Sequence, residues 1–125
     1  MIKVIVAGSR TFSDFNVVEK QLMMYFKANN LHRQDVEIIS GTANGADKLG
    51  EKFAEKYNLK LTKFPADWDK YGKSAGYIRN EEMAKYAIDN GIVFVFWDGE
   101  SKGTKHMISM ANKYNIETKI FINKD

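Results

Sequence analysis

Two stretches of this chain, IKVIVAG from Ile2 to Gly8 and GIVFVFW from Gly91 to Trp97, are almost wholly apolar and rich in β-branched and aromatic residues. Successive strand side chains point to opposite faces, so a strand with no polar alternation needs cover on both. A parallel sheet between two layers of helices supplies that cover.

The rest of the chain fits this frame. DFNVVEKQLMMYFKANN places Phe15, Val18, Leu22, Tyr25 and Phe26 at helical spacing, with Ser13 or Asp14 available as a cap. VEIIS, Val36 to Ser40, reads as a second strand, and the helix after it carries Leu49, Phe53, Ala54 and Tyr57 on one face. LKLTKF, Leu59 to Phe64, alternates as an edge strand does. PADWDKYGKSAG is the longest irregular piece, and a helix with Met83, Ala84, Ala87 and Ile88 inward follows it. After the second apolar run come the loop DGESKG, a helix with Met107, Ile108 and Ala111 inward, and the closing strand ETKIFIN. The predicted fold is α/β: a Rossmann-like three-layer α/β/α domain with a five-stranded parallel sheet in the order 3-2-1-4-5. One domain over 1–125 is expected from the length.

Composition narrows the chemistry. The chain has no cysteine, which excludes disulfides and thiolate metal sites. The N-terminal apolar run is too short to span a bilayer, and it has no signal-peptide pattern. The expected location is cytoplasmic, without membrane association. Nineteen Lys and Arg against sixteen Asp and Glu give a net charge of +3. The lysines are interleaved with acids, unlike the clustered patch a nucleic-acid surface needs. His32 and His106 are the only histidines, and neither has the partners of a metal site, so no metal and no cofactor is expected.

In such a sheet, ligands bind beyond the carboxyl ends of the strands, where the strand order reverses. Every irregular, Gly-rich segment falls on that rim: Gly8, Ser9 and Arg10; Gly41, Thr42, Ala43, Asn44, Gly45 and Asp47; the loop with Trp68 that leads to Arg79 and Asn80; and Trp97, Asp98, Gly99, Ser101, Gly103 and Thr104. GTANGAD and GESKGT each precede a helix, whose first amides and positive dipole end accept anions. Neither matches the P-loop or the dinucleotide fingerprint. Two of the three arginines, Arg10 and Arg79, fall on this rim, and a guanidinium fork suits phosphate. Asp47 and Asp98 suit ribose hydroxyls, and Trp68, Tyr71 and Trp97 suit base stacking.

VIVAGSRTFSD, SGTANGADKLGEKFA, FPADWDKYGKSAGYIRNEEMAKYA and VFWDGESKGTKHMI together resemble the YspA-like branch of the SLOG superfamily, small Rossmann-like proteins of bacteria and phages. The resemblance runs from Lys3 to about Ile122. It implies the same fold and a site for a nucleotide-derived small molecule. The superfamily also contains the LOG phosphoribohydrolases, and GYIRNEEM places Arg79 on the arginine of their Met-His-x-Arg-Lys-x-x-Met segment. ESKGTKHM keeps Gly103 and Thr104 of their second motif, but Met107 stands where their catalytic glutamate belongs. Glycosidic cleavage depends on a placed carboxylate.

The expected function is therefore binding of a nucleotide, ADP-ribose-like or cyclic nucleotide ligand, for sensing or sequestration. Nucleotide N-glycosidic hydrolysis is the alternative, with Arg79, Asp98 and Asp47 as candidate catalytic residues. Single-stranded nucleic-acid binding, as in DprA-type relatives, is the second alternative. A homodimer is plausible from the superfamily.

Overall fold

A computed structural model describes residues 1–122 of the chain. The strands are β1 (Ile2–Gly8), β2 (Val36–Ser40), β3 (Lys60–Lys63), β4 (Gly91–Trp97) and β5 (Glu117–Ile122). The helices are α1 (Phe15–Ala28), α2 (Ala46–Lys56), the single-turn α3 (Trp68–Tyr71), α4 (Ala75–Tyr86) and α5 (Lys102–Lys113). The sheet is wholly parallel, in the order β3-β2-β1-β4-β5. Asn123, the last residue of the predicted closing strand, lies outside the described residues.

Alternation along the strands builds two cores. Val4, Val6, Ile38, Phe94 and Phe96 face α1 and α2, meeting Val18, Leu22, Phe26 and Phe53. Ile5, Ala7, Ile39, Val93 and Val95 face α4 and α5, meeting Met83, Ala84, Met107 and Ala111. Full burial of each such side chain is worth about 1.5–3 kcal/mol, so both faces of β1 and β4 contribute. Asp14 caps α1, its side chain accepting from the Val17 amide at 3.3 Å.

The structure departs from the sequence reading in two places. The segment 65–76 is less irregular than expected. Asp67 accepts from the Lys70 amide at 3.1 Å and starts α3, and a 3-10 turn, Gly72–Ser74, leads into α4. Ile88, expected inward, is 38 % exposed. It lies beyond the end of α4, where the chain has left the helical stripe.

Candidate functional site

β1 pairs with β2 on one side and β4 on the other, so the order reverses at the carboxyl end of β1. There the β1–α1, β2–α2 and β4–α5 loops meet. Ser9, 3 % exposed, ties them together. Its hydroxyl accepts from the Asp98 amide at 2.9 Å. Its carbonyl accepts from the Phe12 and Ala46 amides, each at 3.2 Å.

A cleft opens beside this clasp in two compartments that share Arg10, Ala43 and Arg79. The inner one, about 70 Å³, is also lined by Gly8, Asp47, Asn80, Ser101, Gly103, Thr104 and Met107. The outer one, about 380 Å³, adds Gly41, Thr42, Asn44 and Trp68. A cavity of about 420 Å³ at the other end of the sheet is apolar, floored by Phe26, Leu31, Phe53 and Leu59, and holds none of the expected residues.

Arg79 is held at the junction by donating from Nη1 to the Gly41 carbonyl and from Nε to Asn80 Oδ1 at 3.0 Å. Charge-assisted bonds of this kind contribute about 1.5–3 kcal/mol. Burial lowers its pKa, against the attraction of Asp47. Asp47 is 5 % exposed. Its Oδ2 accepts from the Ala43 amide at 3.1 Å. Burial pushes its pKa up to about 6, against that amide and Arg79. Arg10 is exposed and lines both compartments.

Two glycines of GTANGAD stand against the protein's own atoms. A Cβ at Gly41 would stand 2.9 Å from both Arg79 Nη1 and Asp47 Oδ2. A Cβ at Gly45 would stand 2.2 Å from the Ser9 carbonyl oxygen, and its φ is +80°. Both glycines admit the protein's own atoms, and Gly41 also lines the outer compartment. Thr42, with φ of 66°, is a β-branched residue in the left-handed region. Its amide donates to Ser40 Oγ at 3.0 Å. The amides of Thr42, Ala43 and Ala46 are thus engaged. In the first turn of α2 the amides of Asp47 and Lys48 meet no acceptor among the described residues, whereas in α5 all three of Lys102, Gly103 and Thr104 meet none. That helix start has the greater capacity for an anion.

Besides Ser9, four expected residues serve the rim rather than line the cleft. Trp97 donates its indole N–H to the Ser101 carbonyl at 3.2 Å. Asp98 Oδ1 accepts from the Glu100 and Ser101 amides at 2.8 and 2.9 Å, which lowers its pKa. Gly99, with φ of 84°, makes the turn that permits this. Gly45 packs on the Ser9 backbone. Trp68 remains 52 % exposed at the outer compartment.

Two features escaped the sequence reading. Glu51 is 7 % exposed and accepts from Ser40 Oγ at 2.7 Å. It follows Asp47 by one helical turn, a spacing that could have flagged it. Tyr77 stacks on His106 with centroids 4.3 Å apart. Among the described residues no group of His, Cys, Asp or Glu is arranged to hold a metal. Among the described residues no helix is long and apolar enough to cross a membrane.

Fold and cleft together define a Rossmann-like parallel α/β domain with an arginine-bearing pocket at the switch point of its sheet. The model of the YspA, cpYpsA-related SLOG family matches residues 2–71. The chain is 33 % identical over 123 residues to the Gene 61 protein of Mycobacterium phage D29, covering 93 % of each. The chain belongs to this SLOG family, whose domains bind nucleotide-derived ligands. No solved structure matches it.

Proposed function

We propose that the chain binds a nucleotide-derived anion in this cleft and holds it, as a sensor or a sequestering module. The observation that carries the reading is the convergence of Arg10 and Arg79 on one cleft beside the open amides of α5, with Met107 in its wall. A phosphate meets Arg10, the free Nη2 of Arg79 and the amides of Gly103 and Thr104. Asp47 uses only Oδ2 within the protein, so Oδ1 is left to accept from a ribose hydroxyl. Trp68 offers a face for a base or sugar. The inner compartment is too small for a whole nucleotide, so the ligand extends from inner to outer.

Calorimetry tests this with nucleoside mono- and diphosphates, ADP-ribose and cyclic nucleotides. At least one of them binds the wild type. Arg79→Ala weakens that binding by about 10- to 150-fold, the equivalent of one charge-assisted interaction. Equal affinity in the two proteins removes Arg79 from the site.

One observation favours hydrolysis as a second reading. Asp47 titrates at about 6, the range in which a carboxyl exchanges protons at working pH. That reading requires base release from a nucleotide, seen by chromatography and lost in Asp47→Asn. Binding without release leaves the first reading standing.

A further inference from the structure

Asn80 is 5 % exposed, and its amide has three partners. Oδ1 accepts from Arg79 Nε at 3.0 Å. Nδ2 lies 3.2 Å from the Gly103 carbonyl oxygen and 3.2 Å from His106 Nδ1. Two of these partners have no choice of role: a guanidinium nitrogen only donates, and a carbonyl oxygen only accepts. Together they determine which end of the amide is oxygen. Nδ2 therefore meets His106 as a donor, and Nδ1 must accept. Nδ1 carries no proton, and the neutral ring carries its proton on Nε2. Stacking on Tyr77, nearly parallel at 22°, keeps the ring in this orientation.

We propose that Asn80 is a positioning residue for Arg79, and that the proton state of His106 Nδ1 decides whether Asn80 can hold it. Protonation at Nδ1 sets N–H against N–H. The amide then turns over to offer Oδ1 to the imidazolium. That movement puts Nδ2 opposite Arg79 Nε, donor against donor, and withdraws the donor from Gly103. Arg79 keeps its bond to the Gly41 carbonyl and loses its second anchor. The cleft then has a looser arginine and a released first turn of α5.

The charged and titratable groups around His106 come from both helices of this layer. On α4 these are Tyr77, Arg79 beyond Asn80, and Glu81. Glu81 is itself bound by Lys113 at 3.0 Å and Tyr114 at 2.6 Å. On its own helix, Lys102 stands one turn earlier and Lys105 next to it. Burial holds the ring below its ordinary value, against the attraction of Glu81. The consequence for a ligand rests on the binding reading above; the positioning of Arg79 does not.

The test needs no ligand. Long-range ¹H–¹⁵N correlation spectra of the full chain are recorded from pH 7.5 down to pH 5, with the arginine Nε–H signals followed in parallel. The expected result is a bare Nδ1 and a protonated Nε2 on His106 at pH 7.5. Its midpoint lies below 6.5, and the Arg79 Nε–H resonance moves with the same midpoint. In Asp47→Asn, which removes the carboxyl beside Arg79 that titrates at about 6, the Arg79 resonance still moves with the His106 midpoint; in the double variant Asp47→Asn, His106→Gln, which keeps a neutral acceptor at 106, it stays put to pH 5. A role in stability alone would not couple the two signals. A proton on Nδ1 at pH 7.5, or an Arg79 resonance indifferent to His106, overturns the proposal.

Discussion

Replacing Asp47 by Asn removes a charge from a buried position while keeping its volume. The group's pKa rises from 3.8 to about 6 on folding, chiefly through burial. Between those values the native state holds a proton that the unfolded chain has lost. The stability this group contributes is therefore greatest below pH 3.8, falls as pH rises, and levels off above about 6. At about 1.36 kcal/mol per pH unit, the interval between 3.8 and about 6 corresponds to about 3 kcal/mol. Asn keeps an oxygen for the Ala43 amide. The attraction of Arg79 is already contained in that shift; Asn brings an N–H₂ of its own, whose burial returns about 1–2 kcal/mol. The net expectation at pH 7.5 is a variant more stable by about 1–2 kcal/mol, or about 4–8 °C in Tm. Near pH 4 the advantage vanishes or reverses. Urea unfolding of both proteins at steps from pH 4 to 8 measures it, and taking the difference cancels the carboxylates common to both. A difference that stays flat across this range would refute burial as the cause of the shift.

Three other substitutions probe the rim. Gly45→Ala drives a Cβ to 2.2 Å from the Ser9 carbonyl at a φ of +80°, and it lowers stability by at least about 2 kcal/mol in denaturant unfolding. Gly41→Ala meets Arg79 and Asp47 side chains, which can shift; it costs only about 1 kcal/mol but weakens nucleotide binding in calorimetry, as Arg79→Ala does. Thr42→Gly relieves the left-handed strain at φ of 66° and raises the urea midpoint by the equivalent of about 1 kcal/mol.

The sheet was legible because β1 and β4 carry no polar alternation, so they had to be central. The polar alternation of Leu59 to Phe64 marked β3 as an edge, and it lies there. The rim was legible because topology alone sends every β–α loop to one end. What lay hidden depends on contacts distant in sequence. The charges of EKFAEKY look like a solvated helix face, and only the one-turn spacing of Glu51 from Asp47 hints that it turns in to Ser40. Gly45 falls on the expected ligand rim, whereas the Ser9 backbone occupies its side. The bonds of Asn80 to Gly103 and His106 span 23 and 26 residues between two helical segments, beyond any periodicity. Asp98 and Trp97 have the residue types of a ligand site but bind their own loop.

The central claim is that the arginine cleft, and not the apolar cavity at the other end of the sheet, receives a nucleotide-derived anion. A backbone NMR titration with AMP and with ADP-ribose tests it directly. The account predicts that shifts concentrate at Ala43, Arg79, Gly103 and Thr104 and disappear in Arg79→Ala. Shifts confined to the region of Phe26, Leu31 and Leu59, or none with either compound, would contradict it.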